Sequence, residues 1–312
     1  MDDTRARTAA PEGALRLADW GLILARGADA DTFLHGQLTQ DFLQLDATQA
    51  RLAGYCSAKG RLQASFIAWR GGPDEVLLAC SADLLAQTLK RLSMFVLRAK
   101  CKLSDATGSI ALYGLAGVAA LRWLGDAAPA EAWAKADRGD AQVVRLPDGA
   151  GSARFLLAQP AAAPAPALQS LEPDHWCWLE VQSGVARIVA ATAEQFVPQM
   201  VNLELVGGVN FQKGCYPGQE IVARSQYRGT LKRRAFLVHS SGPLAPGAEV
   251  FHSADPAQPA GMVALAAPAP QGGHAALVEL KIAATQTPGE LRAGDALLSI
   301  APLPYAFPAE AA

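Results

Sequence analysis

In the first third of the chain, apolar residues follow two patterns, one typical of strands and one typical of helices. GLILARG predicts a strand, and Asp29 or Asp31 is placed to cap a helix through TFLHGQLTQDFLQL. RLAGYCSAKGRLQASFIAWR predicts two extended segments, and EVLLAC predicts a further strand after the GGPD turn. Apolar residues at helical spacing from Leu84 to Val96 predict an amphipathic helix, and AKCKLSD returns as a strand. This order is that of a ferredoxin-like lobe, which we place at residues 14–108.

The remaining two thirds predict two further domains. SIALYGLAG, QVVRLP, ARFLLAQ and WCWLEVQSG are expected to be strands and VAALRWL a short helix, so a second ferredoxin-like lobe is placed at residues 109–230. After Arg234, short apolar runs alternate with turns rich in glycine and proline, which is typical of a barrel-like β domain, here residues 231–306. The predicted fold class is therefore α+β.

Composition excludes several classes of protein. With 312 residues, the chain is long enough for two or three domains with their own cores. It is 51% hydrophobic with a net charge of -2, so the overall charge indicates neither a nucleic-acid partner nor an anionic membrane. Its first residues lack the basic and apolar regions of a signal peptide, so we expect a soluble, cytoplasmic protein.

Most of the cysteines have a structural interpretation. The chain has five, with no C-x-x-C pair, so neither a disulfide framework nor a zinc module is expected. Cys80 and Cys101 are expected to be buried strand residues. The five histidines show no ligand spacing either, and no metal site is predicted. Cys215 differs, because it stands between a lysine and a glycine-proline turn in KGCYPGQE.

The surroundings of Cys215 favour a reactive thiol. Pro217 suits the first turn of a helix through GQEIVARSQ, so the cysteine would precede a helix N-terminus. With Lys213 close by and Arg224 able to fold back, the pKa of the thiol would be lowered. The alternative is that the motif builds a tight turn and the cysteine packs beneath it.

KGCYPGQE resembles the signature of the YgfZ-type folate-binding proteins, which are relatives of the glycine-cleavage T-protein. The resemblance spans nearly the whole chain, since residues 202–224 fit the family pattern throughout. Other matching motifs occur in the family's order: LADW (17–20), HGQLTQD (35–41), SAKGR (57–61), FVPQ (196–199) and PLPY (302–305). The resemblance implies that Cys215 is the functional thiol, assisted by Lys213. The other motif residues are Gly214, Tyr216, Gly218, Gln219 and Glu220.

The resemblance also implies a fold and a ligand. Family members form a ring of two ferredoxin-like lobes and a β-barrel around a channel that binds tetrahydrofolate or a derivative. They place tryptophans on this channel, and the matching positions are Trp20 and Trp176, whose indole faces can stack on a pterin or aminobenzoyl ring. Core packing is the alternative for each tryptophan. Gln182, Asn202 and Arg224 are the other residues assigned to the folate site.

Two departures from the related enzymes weaken the case for catalysis. T-protein relatives carry an acid just beyond the SAKG turn, but this chain continues RLQAS. Where folate-processing relatives often read Glu-Ala-Gly, this chain reads QSG at 182–184, and Gln182 lacks the charge that would pair with the pterin N–H face. Glu180, two residues away on the same face of the predicted strand, is a candidate replacement.

The family's role is support of iron-sulfur cluster assembly or repair, notably for radical enzymes that thiomethylate tRNA. One thiolate cannot hold a cluster, so thiol exchange or ligation shared with a client protein is expected at Cys215. The missing acid favours an accessory factor over an enzyme. A folate-dependent aminomethyltransferase or demethylase of the T-protein type is the alternative, and a plain cysteine redox protein is a third. The expected partners are folate and, transiently, iron-sulfur client proteins, with no membrane.

A basic cluster follows the cysteine motif, and its members are Arg224, Arg228, Lys232, Arg233 and Arg234. It is either a solvated helix end or a seat for the glutamate tail of folate, because guanidinium groups pair well with carboxylates. Direct tRNA contact is the third interpretation, which the acidic net charge disfavours.

Overall fold

The computed structural model describes residues 10–227 and 231–308. Its strands are β1 Gly13–Arg16, β2 Trp20–Arg26, β3 Ala50–Cys56, β4 Leu62–Gly72, β5 Glu75–Ser81, β6 Lys102–Asp105, β7 Ile110–Ala116, β8 Lys135–Arg138, β9 Ala141–Gly149, β10 Ser152–Pro160, β11 Arg233–Ser240, β12 Glu249–His252, β13 Asp255–Pro268, β14 His274–Lys281, β15 Leu291–Ala293 and β16 Ala296–Ala301. Its helices are α1 Ala30–His35, α2 Ala82–Ser93, α3 Gly117–Leu124, α4 Pro173–Gln182, α5 Gln219–Tyr227 and α6 Ile282–Gln286.

The strands form two open sheets and one barrel. The first sheet has the order β3-β4-β5-β2-β6 and the second has the order β1-β7-β10-β9-β8. The six C-terminal strands close into a barrel in the order β11-β14-β13-β12-β15-β16. Neighbouring strands are antiparallel, so each sheet can present one face to a core and the other to helices or solvent. The predicted α+β class with a C-terminal β-barrel is confirmed.

The first strand belongs to the second sheet. β1 pairs with β7, with Ala14 opposite Leu115 and Arg16 opposite Tyr113. The chain then crosses to the first sheet at Trp20, the first residue of β2. Residues 14–16, which the predicted boundary assigns to the first lobe, therefore lie in the sheet of the second. The division of the chain into domains at 14–108, 109–230 and 231–306 otherwise stays a prediction.

The prediction of a strand at WCWLEVQSG is wrong, because this segment forms α4. The helix begins with Pro173 in its first turn, where the missing N–H is no loss. It packs against β9 of the second sheet and against β13 and β14 of the barrel. A helix covered on several sides carries apolar residues all round, and the sequence therefore lacks the single apolar stripe by which a surface helix is recognised.

Three other local predictions differ from the structure. α1 ends at His35, because Leu38 forms a β-bridge with Tyr55 and the chain leaves the helix to make it. Pro217 lies outside α5, since Gly218 has a φ of +78°, which no helical residue adopts. Cys101 is half-buried and immediately precedes β6.

Candidate functional site

The thiol segment, residues 213–220, presents the Cys215 side chain to solvent. The cysteine is exposed, so it does not pack beneath the turn. Next to it, the Lys213 Nζ atom donates hydrogen bonds to the carbonyls of His35 and Leu38, the latter at 2.9 Å. It also lies 4.7 Å from the centre of the Tyr216 ring. Burial lowers the pKa of Lys213 to about 8, although the charges of Asp41 and Cys215 oppose that shift.

Two distant motifs meet at this segment. His35, from HGQLTQD, places its Nε2 atom 3.3 Å from where a Cβ at Gly214 would stand, and its Nδ1 atom is 3.0 Å from Asp41 Oδ1. SAKGR lies against the other end, because a Cβ at Gly218 would be 2.7 Å from the Gly60 Cα and would overlap the Ser57 carbonyl. Only glycine fits at 218, both for this space and for its φ of +78°.

A residue of FVPQ contacts α5, which follows the thiol segment, and a residue of PLPY contacts Asn202, which precedes it. Gln199 donates from Nε2 to the Val222 carbonyl of α5 at 2.8 Å. Asn202, fully buried and left-handed with a φ of +57°, donates to the Ala235 carbonyl of the barrel at 2.8 Å and to the Tyr305 hydroxyl at 3.2 Å. These contacts give Asn202 a positioning role in the structure. Its assignment to the folate site stays a prediction.

The basic cluster is largely engaged in ion pairs. Arg224 is 3.0 Å from Glu220 on the exposed face of α5. Arg233 pairs with Glu279 at 2.7 Å, and buried Arg234 pairs with Glu204. Lys232 is exposed, Gln219 is half-buried and Arg228 lies outside the described residues. A seat for the glutamate tail here stays a prediction.

A separate cavity lies between the two sheets and α4, and we call it the Trp20 cavity. It encloses about 410 Å³ of empty space including its open mouth. Trp20 and Trp133 form aromatic parts of its wall, and Arg154, Glu180 and Arg187 are its charged residues. Its lining is mostly apolar with a few convergent polar groups, a composition that is typical of small-molecule sites. None of the thiol-segment residues lines it.

Trp133 is a wall residue that sequence analysis did not identify. It lies between α3 and β8 with a φ of +68°, a strained conformation for a bulky side chain. Backbone hydrogen bonds hold it there: its N–H donates to Arg145 and its carbonyl accepts from Ala50. Strain that the surroundings maintain is often found at binding sites. No local sequence signal distinguishes this tryptophan from a surface loop residue.

Trp176 lies behind the cavity wall. Its side chain is fully buried, and its ring occupies the space that a side chain at Gly114 would need, 2.7 Å from where that Cβ would stand. The Arg154 guanidinium covers its face, 4.6 Å from a ring centroid, and Arg154 lines the cavity whereas Trp176 does not. The observed role of Trp176 is core packing. Contact between its ring and a ligand stays a prediction.

Glu180 is the partner of Arg187. Its carboxylate accepts from Arg187 Nε at 2.9 Å and Nη2 at 3.1 Å, and Asp19 accepts from Nη2 at 2.7 Å. Burial disfavours the charge of Arg187, but the two carboxylates raise its pKa above the usual value. The idea that Glu180 shares a strand face with Gln182 is wrong, because in α4 residues two apart point about 200° away from each other.

Several polar atoms at the cavity have no partner in the described part of the chain. They include Trp20 Nε1 and Arg154 Nε, both on wall residues. Gln182 Nε2, on α4, is also buried without a hydrogen-bond partner. Burial lowers the pKa of Arg154 to about 10. Unpaired buried donors between aromatic surfaces fit a planar ligand with acceptor oxygens, and tetrahydrofolate is such a ligand.

The cavity wall lacks a free acid. Of the segment where T-protein relatives carry theirs, Ser65 reaches the wall, and its hydroxyl accepts the Ile188 N–H at 2.9 Å. Among the described wall residues Glu180 is the one carboxylate, and Arg187 holds both its oxygens.

In residues 10–227 and 231–308, no three or more His, Cys, Asp or Glu side chains are grouped so that they could bind a metal ion. The helices described there are all too short or too polar to cross a membrane.

Comparison with known proteins agrees with the fold and the motifs. No family model matches the chain. The crystal structure of the glycine cleavage system aminomethyltransferase T from Bartonella henselae superimposes with a TM-score of 0.72 over 95% of this chain and 86% of that one, at 19% identity. The molecule therefore has the T-protein-like fold.

A curated relative identifies the family. The tRNA-modifying protein YgfZ of Edwardsiella ictaluri (strain 93-146) is 36% identical over an alignment of 249 residues, and the match covers 75% of this chain and 73% of the relative. The chain belongs to the YgfZ family, as its motifs predict.

Proposed function

We propose that the protein is a tetrahydrofolate-binding accessory factor for iron-sulfur cluster assembly or repair, with Cys215 as its essential thiol. Its clients are iron-sulfur enzymes such as the radical enzymes that thiomethylate tRNA. The observation that carries the proposal is the separation of two features. An exposed cysteine stands on a segment held from several sides, and a cavity with unpaired donors lies elsewhere in the fold.

The cavity residues support folate binding. Trp20 and Trp133 offer aromatic surfaces, and the Trp20 indole N–H and the Arg154 guanidinium offer donors for ring oxygens. Bound reduced folate carries one-carbon units on its ring nitrogens. A wall whose one carboxylate is held by Arg187 provides no proton acceptor for transferring such a unit. This favours a factor that binds folate over one that turns it over.

The thiol segment supports action on a macromolecule. Cys215 is exposed, whereas Cys56 and Cys80 are buried and their pKa values are raised by burial to about 12. One thiolate is too few for a cluster of its own, so a client would have to complete the ligand set. Direct tRNA binding is not proposed, because Arg224, Arg233 and Arg234 are already paired.

Calorimetric titration with tetrahydrofolate, with product formation assayed in the same samples, tests this function. We expect saturable binding without turnover, lost in Trp20→Ala and Trp133→Ala and kept in Cys215→Ser. Trp176→Ala should weaken binding only as far as it disturbs Arg154. The likeness in fold to an aminomethyltransferase keeps the T-protein-type transferase or demethylase as the second candidate. Turnover of an aminomethyl or methylamine donor that persists in Cys215→Ser would establish it instead.

A further inference from the structure

The described part of the chain buries three arginines, and they differ in their partners. Arg187 is bound by the carboxylates of Glu180 and Asp19, and Arg234 is bound by Glu204. Arg154 is only 2% exposed and has no carboxylate within ion-pair distance among the described residues. A buried charge normally needs a partner of opposite charge or a full set of hydrogen bonds.

The hydrogen bonds of Arg154 are incomplete. Its Nη1 atom donates to the Pro147 carbonyl at 3.3 Å, a long bond, and its Nε atom has no partner. The nearby acids are engaged elsewhere: Glu180 binds Arg187, and Asp148 binds Arg145 at 2.5 Å. The Trp176 ring covers one face of the guanidinium, and the side chain lines the Trp20 cavity. The side chain that carries the unused donor therefore lines the Trp20 cavity.

A second unpaired donor belongs to the same wall. Trp20 is 5% exposed, and its Nε1 atom has no acceptor among the described residues. The Trp20 ring is covered on one face by Arg187, at 4.7 Å, so its polar edge is the part that remains to be satisfied. Two orphaned donors and no free acceptor carboxylate call for a ligand that brings oxygen acceptors.

We propose that Arg154 anchors the ligand of the Trp20 cavity by donating to an oxo or carboxylate oxygen on a planar ring system, with Trp20 Nε1 as the second donor. This inference rests on the proposed function in taking that ligand to be a reduced folate. A guanidinium presents planar, paired donors, which match such oxygens better than a lysine would. The oxygen atoms of the ligand then bind inside the cavity, and the basic residues that follow the thiol segment are not needed to bind them.

Folate has two sources of such oxygens, the oxo group of the pterin and the carboxyl groups of the aminobenzoylglutamate. Titration of wild type and Arg154→Met with tetrahydrofolate, 6-methyltetrahydropterin and p-aminobenzoylglutamate distinguishes them. We expect tetrahydrofolate affinity to fall about 10- to 100-fold in Arg154→Met, as for the loss of hydrogen bonds to a charged group. The same fall for the pterin alone assigns the oxo group, and for p-aminobenzoylglutamate alone it assigns a carboxylate.

Thermal melting without ligand separates binding from packing. Because Arg154 is buried and unpaired, replacing it with apolar methionine should leave the melting temperature unchanged or raise it, while the rise caused by tetrahydrofolate is lost. A melting temperature lowered by several degrees with unchanged affinity would overturn the proposal. Arg154→Lys keeps the charge and provides a folded comparison, with intermediate affinity expected. Arg145→Met, on the facing strand and outside the cavity wall, should leave affinity unchanged.

The outcomes also separate this inference from the proposed function. If wild type and Arg154→Met bind tetrahydrofolate equally, the anchor is wrong and folate binding stands. If wild type binds no tetrahydrofolate but binds p-aminobenzoylglutamate through Arg154, the anchor stands and the folate function fails. If wild type binds none of these probes, both are overturned.

Discussion

The cavity wall and the thiol segment differ in whether their buried donors are satisfied. In the cavity wall, Trp20 Nε1 and Arg154 Nε are buried without partners among the described residues. In the thiol segment, the buried Lys213 ammonium donates to two backbone carbonyls. In the buried stretch that precedes that segment, Asn202 likewise uses its amide donors on the Ala235 carbonyl and the Tyr305 hydroxyl. The first region leaves donors that a bound ligand could use, in line with the proposed function. The second satisfies its buried donors by itself and exposes one thiol.

The largest effect on stability is expected inside the cavity wall, for Arg187→Met. This change leaves buried Glu180 without its cation, and breaking a buried ion pair costs about 3–5 kcal/mol. Urea unfolding measures the loss, and Arg154→Met is the matched control, since it removes a guanidinium that no carboxylate holds. Equal losses in the two variants would show that the difference in pairing has no energetic meaning.

Gly218→Ala should have the next largest effect, and it tests how rigidly the thiol segment is held. The left-handed φ of +78° and the overlap with the Ser57 carbonyl together should cost about 2–4 kcal/mol. Gly207→Ala is the control, because its φ is +81° but no heavy atom lies within 4 Å of the added carbon. It should lose only about 1–2 kcal/mol in the same unfolding measurement. A Gly218→Ala variant no less stable than Gly207→Ala would contradict the close contact.

The buried lysine of the thiol segment should make stability depend on pH. The pKa of Lys213 is about 8 in the folded protein and 10.5 as the ordinary value, so above pH 8 the unfolded chain binds the proton more tightly than the folded one. The free energy of unfolding therefore rises with pH between about 8 and 10.5, by at most ~1.4 kcal/mol per pH unit. Lys213→Met lacks this term, and the difference between the two proteins should grow with pH. A difference that stays constant would argue against a lowered pKa.

Cys215→Ser should have the smallest effect on stability, within about 0.5 kcal/mol, because the side chain is exposed. Its effect on thiol chemistry should be large. Cys215 should react first with a disulfide reagent such as dithionitrobenzoate, ahead of Cys56 and Cys80, whose thiols are buried and have pKa values raised to about 12. A fast-reacting thiol that survives in Cys215→Ser would contradict this assignment.

Local pattern predicted much of the fold. Strands such as β5 and β7 are predicted by apolar runs between turns, and the glycine-rich turns after Arg234 predict the barrel. The helix α4 was not predicted because it is covered by both a sheet and the barrel, so its apolar residues do not form a single helical stripe. Pro173, a helix-start residue, was the one local signal in its favour.

The candidate site was predictable at the thiol segment and, on the cavity wall, at Trp20. Its residues carry motifs that can be read in order along the chain, and the structure brings these motifs into contact. Arg154 looked like one polar position in an apolar strand, and Trp133 like a loop residue. Arg154 has an unpaired Nε atom and Trp133 adopts a strained backbone conformation. Both features result from tertiary packing, which a short stretch of sequence does not reveal.

The hydrogen bond between Asn202 and Tyr305 ties the buried stretch that precedes the thiol segment to the end of the described chain. During synthesis the ribosome releases Asn202 well before Tyr305, so the nascent protein must order this stretch before one of its partners exists. Proteolytic cleavage before Tyr305 would return the molecule to that condition. Such a cleavage would leave the buried Asn202 amide with the Ala235 carbonyl as its acceptor and without the tyrosine hydroxyl.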